Sequence, residues 1–399
     1  MRRPAPSRPA LRRRAAVTAT ALAPVLLAGV LMSPPAEAKT TVTRLAPTVT
    51  MAHSTFSMQG SQRVFTLRVR LDGHTQLRAA APGNVIGAGR LTALAIARQQ
   101  RAIAGINGDT FYFFDPAAVP RGGLTTNGRI MKSALQGKNA VLYVTSSGRA
   151  AVGNPGFTGK VYATDTAGRS RSFKITSINS IENAENGGLS LVDPLVLSSS
   201  LQKPPGPKRT CAVVRLADLG RSSYRVTNIT YNDTRYARAA SGTHALISCA
   251  ASTKTWIRSA LHRGQSVRLN AGYAVRGITT LLSGVRQLVR NGKAFDDKTG
   301  LNVYGNKKKP ETFGCVLGDS RTVLLGVVEG DRPGRAGMTY KTLTSYLLKQ
   351  KCRSALVFDG SGSSTFVAKK PGSSLAIQNK VTAPGGVRKV VDGLVVVRR

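Results

Sequence analysis

Acidic residues are scarce in this chain. It has 18 aspartates and glutamates against 58 lysines and arginines, a formal net charge of +40. That imbalance points toward polyanionic partners and says nothing about fold. Histidines are few as well. His53, His74, His244 and His262 are the only ones, and no GxSxG lies beside a strand-like run, which argues against a Ser-His-Asp hydrolase. There is no GxxxxGK[ST] loop to cradle a nucleotide, and HExxH and zinc-finger spacings are absent. The cysteines show no C-x-x-C pair, and no fixed-period repeat is visible. Beyond the first 32 residues, no apolar run is long enough to span a bilayer.

What is present begins with an export signal. Arg2, Arg3, Arg8, Arg12, Arg13 and Arg14 precede an apolar stretch at 15–32, and Ala36-Glu37-Ala38 supplies an A-x-A cleavage pattern. Residues 1–38 therefore read as a signal peptide, with the mature, secreted chain starting near Lys39. Outside the cell, disulfides are expected of Cys211, Cys249, Cys315 and Cys352 in preference to a zinc site. Four cysteines allow three connectivities. Nearest-neighbour pairing is preferred, and buried free thiols beside strand-like runs are the alternative. For an exported protein the positive charge suits an anionic, phosphate-containing glycan or cell-wall polymer better than nucleic acid, with solubility as its plainer use.

About 360 residues remain after the signal, enough for a substantial core in one domain or two packed lobes. Residues 39–84 read as a strand-rich lead-in to the same fold as 85–399. VFTLRVRL at 64–71 alternates like a half-buried strand, and TALAIARQQ at 92–100 reads as a helix. The short strand AIAGI then leads to Asn107-Gly108-Asp109, in a loop position that commonly carries function. Residues 140–270 offer short antiparallel strands, and KPPGPK (203–208) and GNKKKP (305–310) read as loops. VLLGVVEG, ALVF and LVVV read as buried strands, and TYKTLTSYLLKQK (339–351) as an amphipathic helix. The expected class is α+β: β-rich, mixed or antiparallel sheets with a few helices.

With acids so few, those at strand ends stand out: Asp109, Asp115, Glu329, Asp331 and Asp359. Each alone is commonly a turn residue. Asp359 opens the turn Gly360-Ser361-Gly362-Ser363-Ser364, where small residues could let backbone N–H groups converge on an anion. Clusters of Asp and Asn leave Ca²⁺ open as a ligand, although no EF-hand loop is present and no metal or other cofactor is expected.

Seven blocks in order are more specific than any one of them. GINGDTFYFFD (105–115), PRGGLTTNGRIMKS (120–133), NGGLSLVDP (186–194), GVRQLVRNGK (284–293), VVEGDRPGRAGMTYKTL (327–343), LVFDGSGSST (356–365) and VRKVVDGLVVV (387–397) resemble the phosphodiester glycosidase family. Three departures from its pattern are visible. Ser361 replaces a glycine of the elbow, the DGR-like turn reads Glu329-Gly330-Asp331-Arg332, and Glu311-Thr312 stands where Arg-Thr is usual. The resemblance implies hydrolysis between a sugar's anomeric carbon and a phosphodiester oxygen. It implies Asp109 and Asp359 as catalytic carboxylates, with Arg332, Ser363, Ser364 and Arg388 toward the phosphate and Asn107, Gly108, Phe111, Gly360 and Gly362 in the binding surface. Phe111, Tyr112, Phe113 and Phe114 could stack on a sugar, with core packing the better explanation for at least two of them. Asn107 is better explained as a structural turn residue than as a catalytic one, since Asn-Gly after a strand is a common turn pair, and Arg388 could merely pair with Asp392. A wall-polymer binder without catalysis and a glycosidase acting on an uncharged glycan are the alternative functions.

Overall fold

Thr322–Val328 and Glu311–Leu317 are buried at every position. Strands enclosed on both faces belong in the middle of a sheet, and these two pair antiparallel at the centre of an eight-stranded one. Its order is Lys39–Ala46, Val49–Ser57, Ser61–Arg70, Thr322–Val328, Glu311–Leu317, Cys352–Val357, Arg286–Arg290 and Lys293–Ala294. The lead-in strands are thus one flank of a sheet whose centre comes from the far end of the chain. A computed structural model describes residues 38–111, 118–134, 140–194, 210–236, 242–297 and 306–399. The signal segment up to residue 37, Tyr112, Phe113, Phe114, Asp115 and the KPPGPK loop lie outside the described residues.

A five-stranded sheet orders Leu375–Ile377, Phe366–Lys369, Ala104–Asn107, Gly393–Arg398 and Thr75–Ala80. Another five-stranded sheet contains Arg129–Lys132, Leu124–Thr126, Ile278–Ser283, Val141–Thr145 and Ala150–Gly153. One hydrophobic cluster joins Leu67 and Leu325 of the first sheet to Ile106 and Leu394 of the second and Leu142 and Leu282 of the third. The last sheet, again eight-stranded, runs from Ser170–Lys174 through Phe157–Thr164, Ser266–Tyr273, Ser223–Asp233, Cys211–Gly220, His244–Ser248 and Ser190–Val192 to Ser177–Ile178. Only its final pair, among the described strands, is parallel. The chain is therefore β-rich and mainly antiparallel, with few helices.

Thr92 caps the helix Ala93–Gln99 through its side chain, and Thr339 does the same for Tyr340–Lys349. Two helices were not legible. Ala251–Ala260 has no side-chain cap and is rich in threonine and serine, yet it buries Thr253, Ile257 and Ala260 against the last sheet. Ile181–Glu185 is little more than one turn. The cysteines pair as nearest neighbours, Cys211 with Cys249 and Cys315 with Cys352. No helix among the described residues is long and apolar enough to cross a membrane.

Candidate active site

Strand ends from two sheets converge on one group of acids, with Gly122 and Lys132 reaching it from beside a third. Asn107 ends a buried strand, and its partner strand begins at Gly393, directly after Asp392. Glu311 opens one central strand, while Asp359 follows Phe358 at the exit of another. Side-chain contacts join these ends. The Asn107 carboxamide donates to the Asp359 carbonyl (2.8 Å) and accepts from Thr312 Oγ1 (2.8 Å) and the Thr365 N–H (3.0 Å). Asn107 is thereby the tie that holds the elbow in place, and its amide oxygen is taken up by the fold.

Asp109 is 1% exposed. One carboxylate oxygen accepts from the Thr110 N–H (2.7 Å) and hydroxyl (3.2 Å), the other from the Gly122 N–H (2.5 Å). Its own N–H donates to Asp392 Oδ1 (2.7 Å). Burial pushes the Asp109 carboxyl up to about 6, against the pull of those N–H donors and the Lys132 ammonium. Asp392 is fully buried and is pushed well above the usual carboxylate range, by burial first and by the neighbouring charges of Asp109 and Asp359 second. Two interacting carboxyls in a dry site do not both ionise readily, and of the two Asp392 is pushed up the more strongly. The contact depends on Gly108, because a Cβ there would overlap Asp392 Oδ1 and fall 2.8 Å from Leu282 Cδ2. Lys132 donates to the carbonyls of Pro120 (2.5 Å) and Arg121 (3.3 Å), and burial brings its ammonium down to about 8.

Asp359 is the most open of these acids, only half-buried. Its carboxyl is raised by burial, while a hydrogen bond from Ser363 and the charges of Arg388 and Lys309 act in the other direction. Arg388 Nη1 donates to Ser363 Oγ at 3.3 Å, and its guanidinium lies where a Cβ on Gly362 would be, 2.6 Å from Nη2. Asp359, Ser363 and Arg388 thus form one connected group. The rest of the turn differs from the expected anion nest. The N–H groups of Ser361, Ser363 and Ser364 donate to the carbonyls of Pro310, Gly360 and Ser361, and the Ser364 hydroxyl meets Thr312 Oγ1 at 3.2 Å. Those three N–H groups are therefore taken up by carbonyls, and the side chains of Ser363 and Arg388 stand beside Asp359.

Beneath the elbow lies a pair that sequence reasoning noticed only in part. Glu311 is fully buried, and Lys309 Nζ sits 3.0 Å from its Oε1. A Cβ on Gly360 would fall 2.7 Å from that ammonium and 2.8 Å from Glu311 Oε2. Burial raises Glu311 to about 8 despite the Lys309 charge. Lys309, two residues before Glu311, thus places a cation against that buried acid. Arg332 lies on the turn with Arg335, and its guanidinium makes no hydrogen bond or ion pair among the described residues. Glu329 faces away from the elbow, accepting from the Lys380 N–H (2.6 Å) between Arg63 and Arg335. Phe111 packs beside Ala80, Ile96 and Val390 with the Arg90 guanidinium 5.0 Å over its ring, so core packing occupies it. Lys132, Lys309 and Asp392 were the residues missed as participants. Lys132 and Asp392 stand at strand ends within motif blocks and Lys309 just before the strand that opens at Glu311, and only the fold shows that those ends meet. Among the described residues, no group of three or more His, Cys, Asp or Glu is placed to hold a metal ion.

The strand ends thus gather a half-buried carboxyl, a serine and an arginine, backed by further buried acids. Residues 223–397, a stretch that includes Asp359, Arg388 and Asp392, match the family model for phosphodiester glycosidase. In structure the chain is similar to a hypothetical protein from Synechocystis, with a TM-score of 0.70 and 14% identity over 90% of this chain. The match spans 64% of that protein's length. It is similar also to a Burkholderia pseudomallei protein classed as exported (TM-score 0.59, 19% identity, 85% of this chain and 74% of that one). The zebrafish N-acetylglucosamine-1-phosphodiester α-N-acetylglucosaminidase catalytic domain aligns with a TM-score of 0.47 at 12% identity, over 91% of this chain and 88% of that one. The first two likenesses, at identities this low, speak to fold alone. No curated protein matches the sequence.

Proposed function

We propose that this chain is an exported hydrolase of sugar 1-phosphodiesters. Water adds at the anomeric carbon, the bond from that carbon to the phosphodiester oxygen breaks, and a free sugar and a phosphomonoester are released. The sugar is N-acetylglucosamine-like, and its source is a phosphate-containing glycan or cell-wall polymer. The observation that carries this reading is the connected group of Asp359, Ser363 and Arg388 within the stretch that matches the phosphodiester glycosidase family model. A phosphomonoester leaves far more readily than an alkoxide, so the site has little need of a strong acid. Its tasks are to stabilise a cationic sugar centre and to hold the departing phosphate. Asp359, the open carboxylate, serves the first task. Arg388 and Ser363 serve the second, since guanidinium matches phosphate oxygens in pairs. Asp109 is enclosed and backs the site electrostatically, and Ser364 and Asn107 hold the elbow. Two disulfides fit an oxidising destination.

A second reading, a binder of anionic wall polymer without turnover, draws on Glu311, which sets a buried acid directly under the elbow. One assay separates the readings. Mature protein is incubated with an α-N-acetylglucosamine phosphodiester and, in parallel, with an uncharged α-N-acetylglucosaminide, and free sugar is quantified. Release from the phosphodiester alone is expected. Retention of a phosphate polymer without release of sugar would favour the binder, and equal release from both substrates would favour a plain glycosidase.

A further inference from the structure

The sheet that includes Phe157–Thr164 and Ser266–Tyr273 has one face closed and one open. Val161, Val267, Leu269 and Val226 pack with Ile257 and Leu261 in a buried cluster. Alternation sends their neighbours to the opposite side. The side chains that arrive there are Lys174, Lys160, Arg268 and Arg225, one from each of four adjacent strands, and all are exposed. The register fixes their arrangement. Lys160 stands opposite Lys174, Tyr162 opposite Arg268, and Ser266 opposite Arg225. With strands about 4.8 Å apart and alternate residues about 7 Å apart, the four cations form a diagonal stripe with steps of about 5 to 8 Å. None of them takes part in an ion pair among the described residues, and the outward positions of these strand segments carry no acid. The Arg268 guanidinium lies 5.0 Å from the Tyr162 ring, which spreads it flat along the sheet.

Two features separate this stripe from a generally basic surface. Lys160 and Lys174 face each other directly, an arrangement that opposes folding. An edge lysine on its own would guard against strand pairing, but Lys160, Arg268 and Arg225 stand on inner strands. We propose that this open sheet face is a docking track for a linear polymer with a phosphodiester backbone, which holds the substrate polymer while a chain end is processed at the elbow. The commitment to a phosphodiester polymer rests on the reading of the active site above. The track itself rests on the charge and register of the sheet.

The test uses fluorescein-labelled poly(glycerol phosphate), followed by anisotropy with the mature protein. The quadruple variant Lys160→Glu, Lys174→Glu, Arg225→Glu, Arg268→Glu is compared with wild type and with a control that reverses four exposed cations elsewhere, Lys293, Lys341, Lys349 and Arg353. The track predicts binding at least tenfold weaker in the first variant and changed less than threefold in the control. It also predicts a wild-type log–log salt slope steeper than that of the variant by about 3, as four phosphate contacts would give. Circular dichroism and thermal melting confirm that both variants are folded. Equal losses in the two variants, or none in the first, would overturn the track. Tighter binding of a (dT)30 oligonucleotide through the same four residues would make the face a nucleic-acid surface and overturn the assigned partner. Turnover of a small sugar phosphodiester is measured separately. It is expected to be unchanged in the quadruple variant, and if wild type itself shows none, the active-site reading fails while the binding result still judges the track.

Discussion

The acid group at the strand ends and the basic face of the outer sheet are opposites in charge, and they differ more deeply in solvation. Asp109, Asp392 and Glu311 are enclosed, and burial raises all three carboxyls. Lys160, Lys174, Arg225 and Arg268 are exposed to water. A chain with few acids has concentrated several of them where desolvation makes them reactive, while its abundant cations remain at the surface, where each is worth little singly. Chemistry and stability should therefore be sensitive to single changes in the first region. The second should respond mainly to changes made together.

Asp359→Asn should have the largest effect. A positioned carboxylate in contact with the reacting sugar is worth on the order of 10²–10⁴ in rate, so kcat/KM should fall by that factor while the melting temperature holds. Steady-state kinetics alongside calorimetry checks this. Asp109→Asn should act on both properties. Both carboxylate oxygens accept from backbone N–H groups, so an amide must turn its NH₂ toward one of them. Urea denaturation should show a loss of about 1–3 kcal/mol, together with reduced turnover.

Those two acids also show how much was legible. The hydrophobic alternation of 64–71, the capped helices near 93 and 340 and the buried strands of the C-terminal half could be read directly, because each is a local pattern. Asp109 and Asp359 stood out through their motif blocks. Asp392 and Lys132 did not, because what makes them notable is their nearness to Asp109, which for Asp392 joins residues 283 apart in sequence and is encoded by no local pattern. The anion nest expected at the elbow was a reading of Gly and Ser content, and the fold directs the N–H groups of Ser361, Ser363 and Ser364 to backbone carbonyls instead. The basic face was hidden for a similar reason. Its cations are spaced irregularly in sequence and align only through the register of four strands.

Glu311→Gln sharpens the contrast in a different way. A carboxyl raised to about 8 in the folded state binds a proton that the unfolded chain, near 4.5, has already released. Its stabilising contribution is therefore full below about 4.5 and lost as pH rises through about 8. Wild type should lose stability across that window, and the variant should lose less, as followed by thermal melts in matched buffers. The smallest effect is expected on the open face. Lys174→Glu turns a facing like-charge pair into an opposite one and should stabilise the fold by less than about 1 kcal/mol. The gain should shrink with added salt, which urea titrations at two ionic strengths would detect.

The central claim is attack at the anomeric carbon. Hydrolysis of an α-N-acetylglucosamine phosphodiester in ¹⁸O-labelled water, with mass spectrometry of both products, tests it most directly. The label should appear in the released sugar and not in the phosphomonoester. Label in the phosphate would mean attack at phosphorus, and the roles given to Asp359, Ser363 and Arg388 would then be wrong.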